Sequence, residues 1–191
     1  MWESILEWDR ETFIYLNSLG IEQYDVFWST VTKIPTWIPL FLLFGFLFFR
    51  KYPKRESLFM ILTVLVMVFF VVTLTDLTKE VVARLRPNND EEINTIIRIL
   101  RSPMGYSFFS GHASSSFSIT TIVYLFLRNH FKWSILFYIW PLLFVTSRIY
   151  VGVHFPVDII VGALVGIFSA WLFFRLYSKL ILPYLVSNRP V

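Results

Sequence analysis

The sequence has no cysteine, and this absence excludes disulfide scaffolds, thiolate metal sites and cysteine-based catalysis. Charged residues are also scarce: they make up 16% of the 191 residues, against roughly 25% in ordinary soluble domains. Hydrophobic residues reach 56% and aromatic residues 19%, which is more apolar surface than one small domain can bury. The 17 Lys and Arg are scattered and form no basic stripe, so the net charge of +4 does not indicate nucleic-acid binding.

Long uncharged runs occupy much of the chain. Several are shorter than the ~20 residues that cross ~30 Å of hydrocarbon, so each helix must extend into its polar flanks. A soluble helical bundle is the alternative, but it needs polar positions at helical spacing, which Phe59–Val72 lacks. The sequence therefore predicts an all-α integral membrane bundle that forms one domain over residues 1–191. Its five candidate spans are Ile34–Phe49, Ser57–Thr75, Ala113–Leu127, Trp133–Ser147 and Ile159–Phe174.

Residues 1–20 have the pattern of an amphipathic helix that lies in the membrane interface. Asp9 falls on the apolar face, where a carboxylate has no evident reason to be. The acidic residues of this segment also contradict a secretory signal, so we expect the segment to be retained. One face carries Trp2, Ile5, Leu6, Phe13 and Leu16, and the other carries Glu3, Glu7, Arg10 and Glu11.

Alternating the five spans across the bilayer places the loops around residues 79–110 and 148–156 on one side, together with the N-terminal helix. The opposite loops and the tail are basic, and nine Lys and Arg lie there against eight elsewhere: residues 50, 51, 54, 55, 128, 132, 175, 179 and 189. This difference is small. If the cations in the loops around residues 79–110 and 148–156 have chemical roles, they do not count toward orientation, and the opposite basic loops and tail face the cytoplasm.

The end of the second span carries the first chemical motif. Lys79 and Arg86 are seven residues apart, so on a continuous helix they project from nearly one face and can clamp one anion. Pro87 moves Arg86 out of the helical conformation and predicts the end of the helix there. Snorkelling of both cations to the interface is the alternative explanation.

A second motif, Ser110-Gly111-His112, immediately precedes the third span. Ser110 is a plausible N-cap, Gly111 allows a ligand to approach the backbone, and the free amides of a helix start attract phosphate. His112 lies where it can donate a proton to a ligand at that site. The alternative is a histidine that is merely solvated at the interface.

The third motif runs from Ser147 and Arg148 to His154 and Asp158. Pro156 suits the first position of a helix, so Asp158 becomes its third residue and points back toward His154. A carboxylate that accepts one imidazole N–H leaves the other ring nitrogen unprotonated, as a histidine nucleophile requires. Otherwise Asp158 only stabilises the helix dipole.

All three motifs emerge on one side of the membrane, which neither snorkelling nor capping explains. With them the sequence resembles the type 2 phosphatidic acid phosphatase (PAP2) superfamily, whose motifs read K-x6-RP, PSGH and SR-x5-H-x3-D. The first and third motifs match in full, whereas Phe109 replaces the proline of the second. We expect that change to alter the turn more than the chemistry. The resemblance covers residues 57–175.

The resemblance implies that His154 attacks phosphorus to form a phosphohistidine, that Asp158 orients it, and that His112 protonates the leaving oxygen and then assists water. It assigns the phosphoryl oxygens to Lys79, Arg86, Ser110, Gly111 and Arg148. It implies no cofactor and no metal. The acidic cluster at residues 90–92 has no accompanying histidine and reads as a solvated loop.

The sequence thus predicts a lipid phosphatase of the bacterial cytoplasmic membrane whose site faces outward. Undecaprenyl diphosphate leads narrowly as substrate over lipid A, phosphatidylglycerol phosphate and phosphatidic acid. A lipid or anion transporter explains the cations but not the pairing of His154 with Asp158. Gly162 and Gly166 form a G-x-x-x-G pair, for which packing inside the chain is favoured over a second subunit. The oligomeric state and the roles of Arg84, Arg98 and Arg101 stay open.

Overall fold

The computed structural model describes residues 2–187, and the chain there is mainly helical, with one long irregular segment between Val82 and Gly111. The eight α-helices of these residues are α1 (Trp2–Ser18), α2 (Asp25–Val31), α3 (Ile38–Lys51), α4 (Lys54–Val82), α5 (Gly111–Leu127), α6 (Ile139–Tyr150), α7 (Pro156–Leu176) and α8 (Leu182–Ser187). Arg189, counted above among the basic residues, and the side chain of Trp2 lie outside the described part.

Four segments of the described chain contain helices that are long and apolar enough to cross a membrane, and these segments run over Ile34–Lys51, Lys54–Asn89, Lys132–Tyr150 and Pro156–Ser187. They correspond to four of the five predicted spans. The remaining one forms α5, which has 17 residues and begins at a functional motif instead of extending into a polar flank. Exposed apolar side chains cover the outer faces of the bundle, as they do where lipid is the solvent.

Helix α5 lies at the centre of the bundle and packs most extensively against α7. Small residues permit this, because Gly162 and Gly166 of α7 meet the backbone of α5 directly. A β-carbon on Gly162 would lie 2.6 Å from the Ser110 carbonyl oxygen, and one on Gly166 would meet the carbonyl oxygen of Ser114. The preference for packing of the glycine pair inside the chain is confirmed. The close contact fixes the starts of α5 and α7 beside each other.

The N-terminal helix lies on the same end of the bundle as the three motifs. Its buried ridge consists of Asp9, Phe13 and Asn17, which are 0 to 1% exposed, whereas Ile5 and Leu6 are 40% and 38% exposed. Phe13 packs edge-on against Phe155 with ring centroids 5.3 Å apart. The amide of Asn17 donates to the carbonyls of residues 98 and 149 and accepts from the Arg98 N–H. Helix α1 therefore has one face on the motif loops and another face available to the membrane surface.

Candidate active site

His154 and Asp158 meet at the start of α7. Pro156 is the first residue of this helix, so Asp158 is the third, as the sequence indicates. The Oδ2 atom of Asp158 accepts the Phe155 backbone N–H at 3.0 Å and lies 3.4 Å from Nδ1 of His154. Both side chains are buried. The carboxylate thus holds one ring nitrogen of the histidine from a fixed point on the helix.

Arg86 faces the other nitrogen of the same ring. Its Nη1 lies 3.2 Å from Nε2 of His154 and donates to the Val153 carbonyl at 3.2 Å. Burial lowers the pKa of His154 well below its ordinary value, and the charges of Arg148, Arg86 and Lys79 lower it further. A neutral imidazole with its proton on Nδ1 can donate to Asp158 from Nδ1 and accept a hydrogen bond from Arg86 at Nε2. The unprotonated Nε2 then lies beside a cation that can bind phosphate.

The path from Lys79 to Arg86 differs from the sequence-based expectation. The prediction of one continuous helix is wrong, because α4 ends at Val82 and Ala83 adopts a left-handed conformation with φ 50°. The following backbone leaves the helix to pair with Ser107, whose N–H donates to the Arg84 carbonyl at 2.8 Å. Arg86 is extended before Pro87, as predicted. The two cations therefore reach the site from a helix and from an extended segment.

The second motif forms the start of α5. The hydroxyl of Ser110 caps this helix by accepting the Ala113 N–H at 3.4 Å, and the Ser110 N–H donates to the carbonyl of Asp158 at 2.9 Å. A β-carbon on Gly111 would lie 3.9 Å from Nζ of Lys79, so this ammonium reaches the free amides of the helix start. An ammonium beside the start of a helix can attract an anion, as the sequence-based hypothesis requires.

His112 lies on the first turn of α5, with its ring 4.9 Å from that of Phe144. It lines a cavity of about 390 Å³ together with Lys79 and Gly111. The other walls are largely apolar and come from α3, the turn before it, α4, α5 and α6: Trp37, Phe41, Val68, Val72, Ile119, Trp140 and Phe144. The cavity combines a polar end at two motifs with an apolar body within the bundle.

Arg148 is buried near the end of α6. Its guanidinium contacts the hydroxyl of Thr32, which follows α2, and its Nε has no hydrogen-bond partner within residues 2–187. A buried donor without a partner is costly unless a ligand satisfies it. The Nε atom of Arg148 can therefore donate to an anion, and the role of Arg148 in phosphate binding stays a prediction.

The sequence did not predict that Arg84 contacts two carboxylates. Its Nη1 lies 2.8 Å from Oδ1 of Asp158, and its Nη2 lies 2.6 Å from Oδ2 of Asp9. The signal for this contact was Asp9, an acid on the apolar face of α1. Arg98 instead pairs with Asp25, and Arg101 donates to the Ser29 carbonyl, so both anchor the loop before α5 to α2.

The acidic loop at residues 90–92 contacts α1. Asp90 lies 3.2 Å from the guanidinium of Arg10, and Glu92 also contacts this guanidinium. Within the described residues, no group of three or more His, Asp and Glu is placed to hold a metal ion.

Comparison with known proteins places the three motifs within a known family. The family model of the PAP2 superfamily matches residues 57–182, which include all three motifs. The chain is 32% identical over 181 residues to the lipid A 4'-phosphatase of Porphyromonas gingivalis, covering 92% of this chain and 75% of that protein. It is 30% identical over 181 residues to the undecaprenyl-diphosphatase of Sulfolobus acidocaldarius, covering 86% and 85%.

The fold also matches a solved structure. The transmembrane PAP2-type phosphatidylglycerolphosphate phosphatase of Bacillus subtilis superimposes with a TM-score of 0.73 at 21% identity. The match covers 93% of this chain and 88% of that one. It therefore includes regions outside the three motifs.

Proposed function

Because this chain belongs to the PAP2 superfamily, we propose that it removes phosphate from a membrane lipid through a covalent intermediate on His154. The chain is an integral membrane hydrolase of phosphoric esters. The observation that carries the proposal is the position of His154, with Asp158 at one ring nitrogen and Arg86 at the other. No metal ion takes part in the proposed route.

In the first step Nε2 of His154 attacks phosphorus. A bond forms between nitrogen and phosphorus while the bond from phosphorus to the lipid oxygen breaks, and Asp158 stabilises the Nδ1–H of the ring as charge develops. Arg86 lies 3.2 Å from Nε2, so a phosphoryl oxygen bound to Arg86 brings phosphorus next to the nucleophile. The product of this step is a phosphohistidine.

His112 serves as the acid and then the base. It starts as the imidazolium, which the negative charge of a bound phosphate favours over the surrounding cations, and donates its proton to the departing lipid oxygen. It then accepts a proton from the water that attacks the phosphohistidine, which returns it to the imidazolium. The second attack breaks the bond between phosphorus and nitrogen, releases phosphate and restores neutral His154. Its place in the cavity beside Lys79 and Gly111 supports this role, because the lipid oxygen leaves toward the apolar part of that cavity.

The phosphoryl oxygens are held by Lys79, Arg86, Arg148 and the start of α5. Three cations and the amides of Gly111 and His112, the first two residues of α5, stabilise the charge that is concentrated on these oxygens in the transition state. The Nε of Arg148 supports this assignment, since a phosphoryl oxygen supplies the acceptor that residues 2–187 do not.

The lipid portion of the substrate fits the apolar body of the cavity. Its walls include Phe41, Val72 and Trp140, which belong to three different helices of the bundle. A hydrocarbon chain there remains within the membrane while its phosphate reaches His112 and Lys79. This arrangement favours a lipid phosphate over a soluble one.

The leading candidate substrate is a phosphate monoester of lipid A, supported by the likeness to the enzyme of Porphyromonas gingivalis. Undecaprenyl diphosphate, which the sequence-based expectation places first, is the second candidate and is supported by the relative from Sulfolobus acidocaldarius. We further propose that the protein lies in the cytoplasmic membrane of a bacterium with the site facing outward, because the short loops at the opposite end are basic.

The test is phosphate release by the purified protein in detergent with excess EDTA. The panel contains lipid A, undecaprenyl diphosphate, phosphatidylglycerol phosphate and phosphatidic acid. We expect turnover in EDTA that is highest on lipid A, absent in His154→Gln and retained in His130→Gln, a matched change at an exposed histidine. Activity that disappears on chelation and returns with Mg²⁺, or that survives in His154→Gln, would overturn the mechanism.

A further inference from the structure

Arg84 lies between two buried carboxylates. It is 17% exposed, whereas Asp9 and Asp158 are both 0% exposed. Its guanidinium also lies 4.1 Å from the centroid of the Phe155 ring, and this contact restricts the orientation of the guanidinium plane. A guanidinium that donates to two carboxylates and stacks on a ring has little freedom to change its position.

Asp158 has each carboxylate oxygen engaged. Oδ2 accepts the Phe155 backbone N–H and lies beside Nδ1 of His154, and Oδ1 accepts a hydrogen bond from Arg84. The direction in which Asp158 presents Oδ2 to the histidine therefore depends on where Arg84 holds Oδ1.

Asp9 holds Arg84 from a different helix. Its Oδ2 pairs with Arg84 at 2.6 Å, and its Oδ1 accepts the backbone N–H of Val157 at 2.8 Å. Val157 is the second residue of α7, so Asp9 also satisfies a free amide at the start of the helix that carries Asp158. Burial raises the pKa of Asp9, whereas the Val157 amide and Arg84 lower it, so a charge at this place depends on both contacts.

We propose that Asp9 and Arg84 are positioning residues of the phosphatase, which hold Asp158 in the orientation that His154 needs as nucleophile. This inference rests on the proposed roles of His154 and Asp158. Asp9 lies outside residues 57–182, which the family model matches, so α1 contributes to the site from outside that region. The two residues act through Asp158 and not through contact with substrate.

The test measures kcat, KM and the rate of phosphoenzyme formation on whichever lipid phosphate the parent protein hydrolyses. We expect Asp9→Asn to lower kcat and phosphoenzyme formation roughly 10- to 100-fold, because misplacement by about 1 Å has effects of that size. KM should stay within about twofold, since phosphate and lipid contacts are intact. Asp9→Glu, which keeps the charge, should recover part of the loss.

Three further variants separate positioning from packing. Arg84→Gln should lower kcat at least as much as Asp9→Asn, and the double variant should be no worse than Arg84→Gln alone, since Asp9 acts through Arg84. Glu11→Gln removes an exposed charge from the same helix and should leave kcat unchanged. Ile14→Ala loosens the packing of α1 near Phe13 and Phe155 without touching the ion pair, so it measures the effect of weaker docking.

The outcomes are distinct. Parent protein that releases no phosphate from any lipid would refute the proposed function itself. Active parent protein with Asp9→Asn within twofold of its kcat would overturn only the positioning role. It would also be overturned if the fold-losses of kcat in the two single variants multiplied in the double variant. An Ile14→Ala variant that has the melting temperature of Asp9→Asn and loses as much kcat would overturn it as well. If Asp9→Asn does not fold, Arg84→Lys replaces it, because an ammonium keeps the charge but lacks the fork that spans both carboxylates.

Discussion

Replacing Gly162 with alanine should disturb the active site, because it disrupts the close packing of α7 against α5. The added β-carbon would lie 2.6 Å from the Ser110 carbonyl oxygen and 3.1 Å from the β-carbon of Ala113. Ordinary contacts of this kind begin at 3.4 Å, and both neighbours belong to rigid structure and not to a flexible side chain. The start of α5 must therefore move away from α7 by several tenths of an ångström.

That movement separates groups that the reaction needs together. Ser110 and His112 lie at the start of α5, whereas Asp158 lies at the start of α7, one turn before Gly162. Overpacking of this kind costs about 1–3 kcal/mol in stability. Displacement of the catalytic groups should lower kcat on the lipid substrate by about tenfold to a hundredfold.

Gly45→Ala is the matched control, because a β-carbon there would meet nothing within 4 Å. Alanine favours a helix over glycine by about 1 kcal/mol, so this variant should keep its activity and unfold at the same or a higher temperature. Both variants are assayed in detergent for kcat and for thermal unfolding. Gly162→Ala with the kcat and melting temperature of Gly45→Ala would refute the close contact between α5 and α7 as the support of the site.

Three other predictions follow from the site. His112→Ala should slow lipid hydrolysis much more than hydrolysis of an aryl phosphate with a good leaving group, and equal losses on both would contradict its role as the acid. Burial lowers the pKa of His154, so below pH 6.5 the unfolded chain binds a proton that the folded protein does not. The melting temperature should then fall more between pH 7 and pH 5 in the parent protein than in His154→Gln, and parallel curves would contradict a buried neutral histidine. Single cysteines at the exposed residues Asn89 and Asn129 should react differently with a membrane-impermeant maleimide in intact cells; labelling of Asn89 alone supports the outward site, and the reverse pattern refutes it.

Local features of the site were predictable because they depend on neighbours in sequence. Ser110 as a helix cap and Asp158 at the third position of α7 follow from short-range backbone geometry, which residue type and spacing report directly. The membrane class follows from long apolar runs. The likeness to a known family could be read from three ordered motifs, although no motif by itself was decisive.

The end of α4 could not be read in the same way. Pro87 suggested a helix that continues to Arg86, yet the helix ends at Val82 because Ser107 pairs with the following backbone. That partner lies more than twenty residues away along the chain. A competing long-range hydrogen bond has no local signature, so only the tertiary structure shows where the helix ends.

The membrane environment and the chemically reactive side chains can both be inferred from the sequence, since apolar runs and motif residues are properties of composition and spacing. How these groups are held in place depends on contacts between helices that are distant in sequence. It explained Asp9, an acid on an apolar face, by placing it against Arg84 and the start of α7. A buried charge is tolerated only with a partner, and in this fold that partner comes from a segment 75 residues away. Such pairing depends on how helices pack in three dimensions, which helical periodicity alone does not specify.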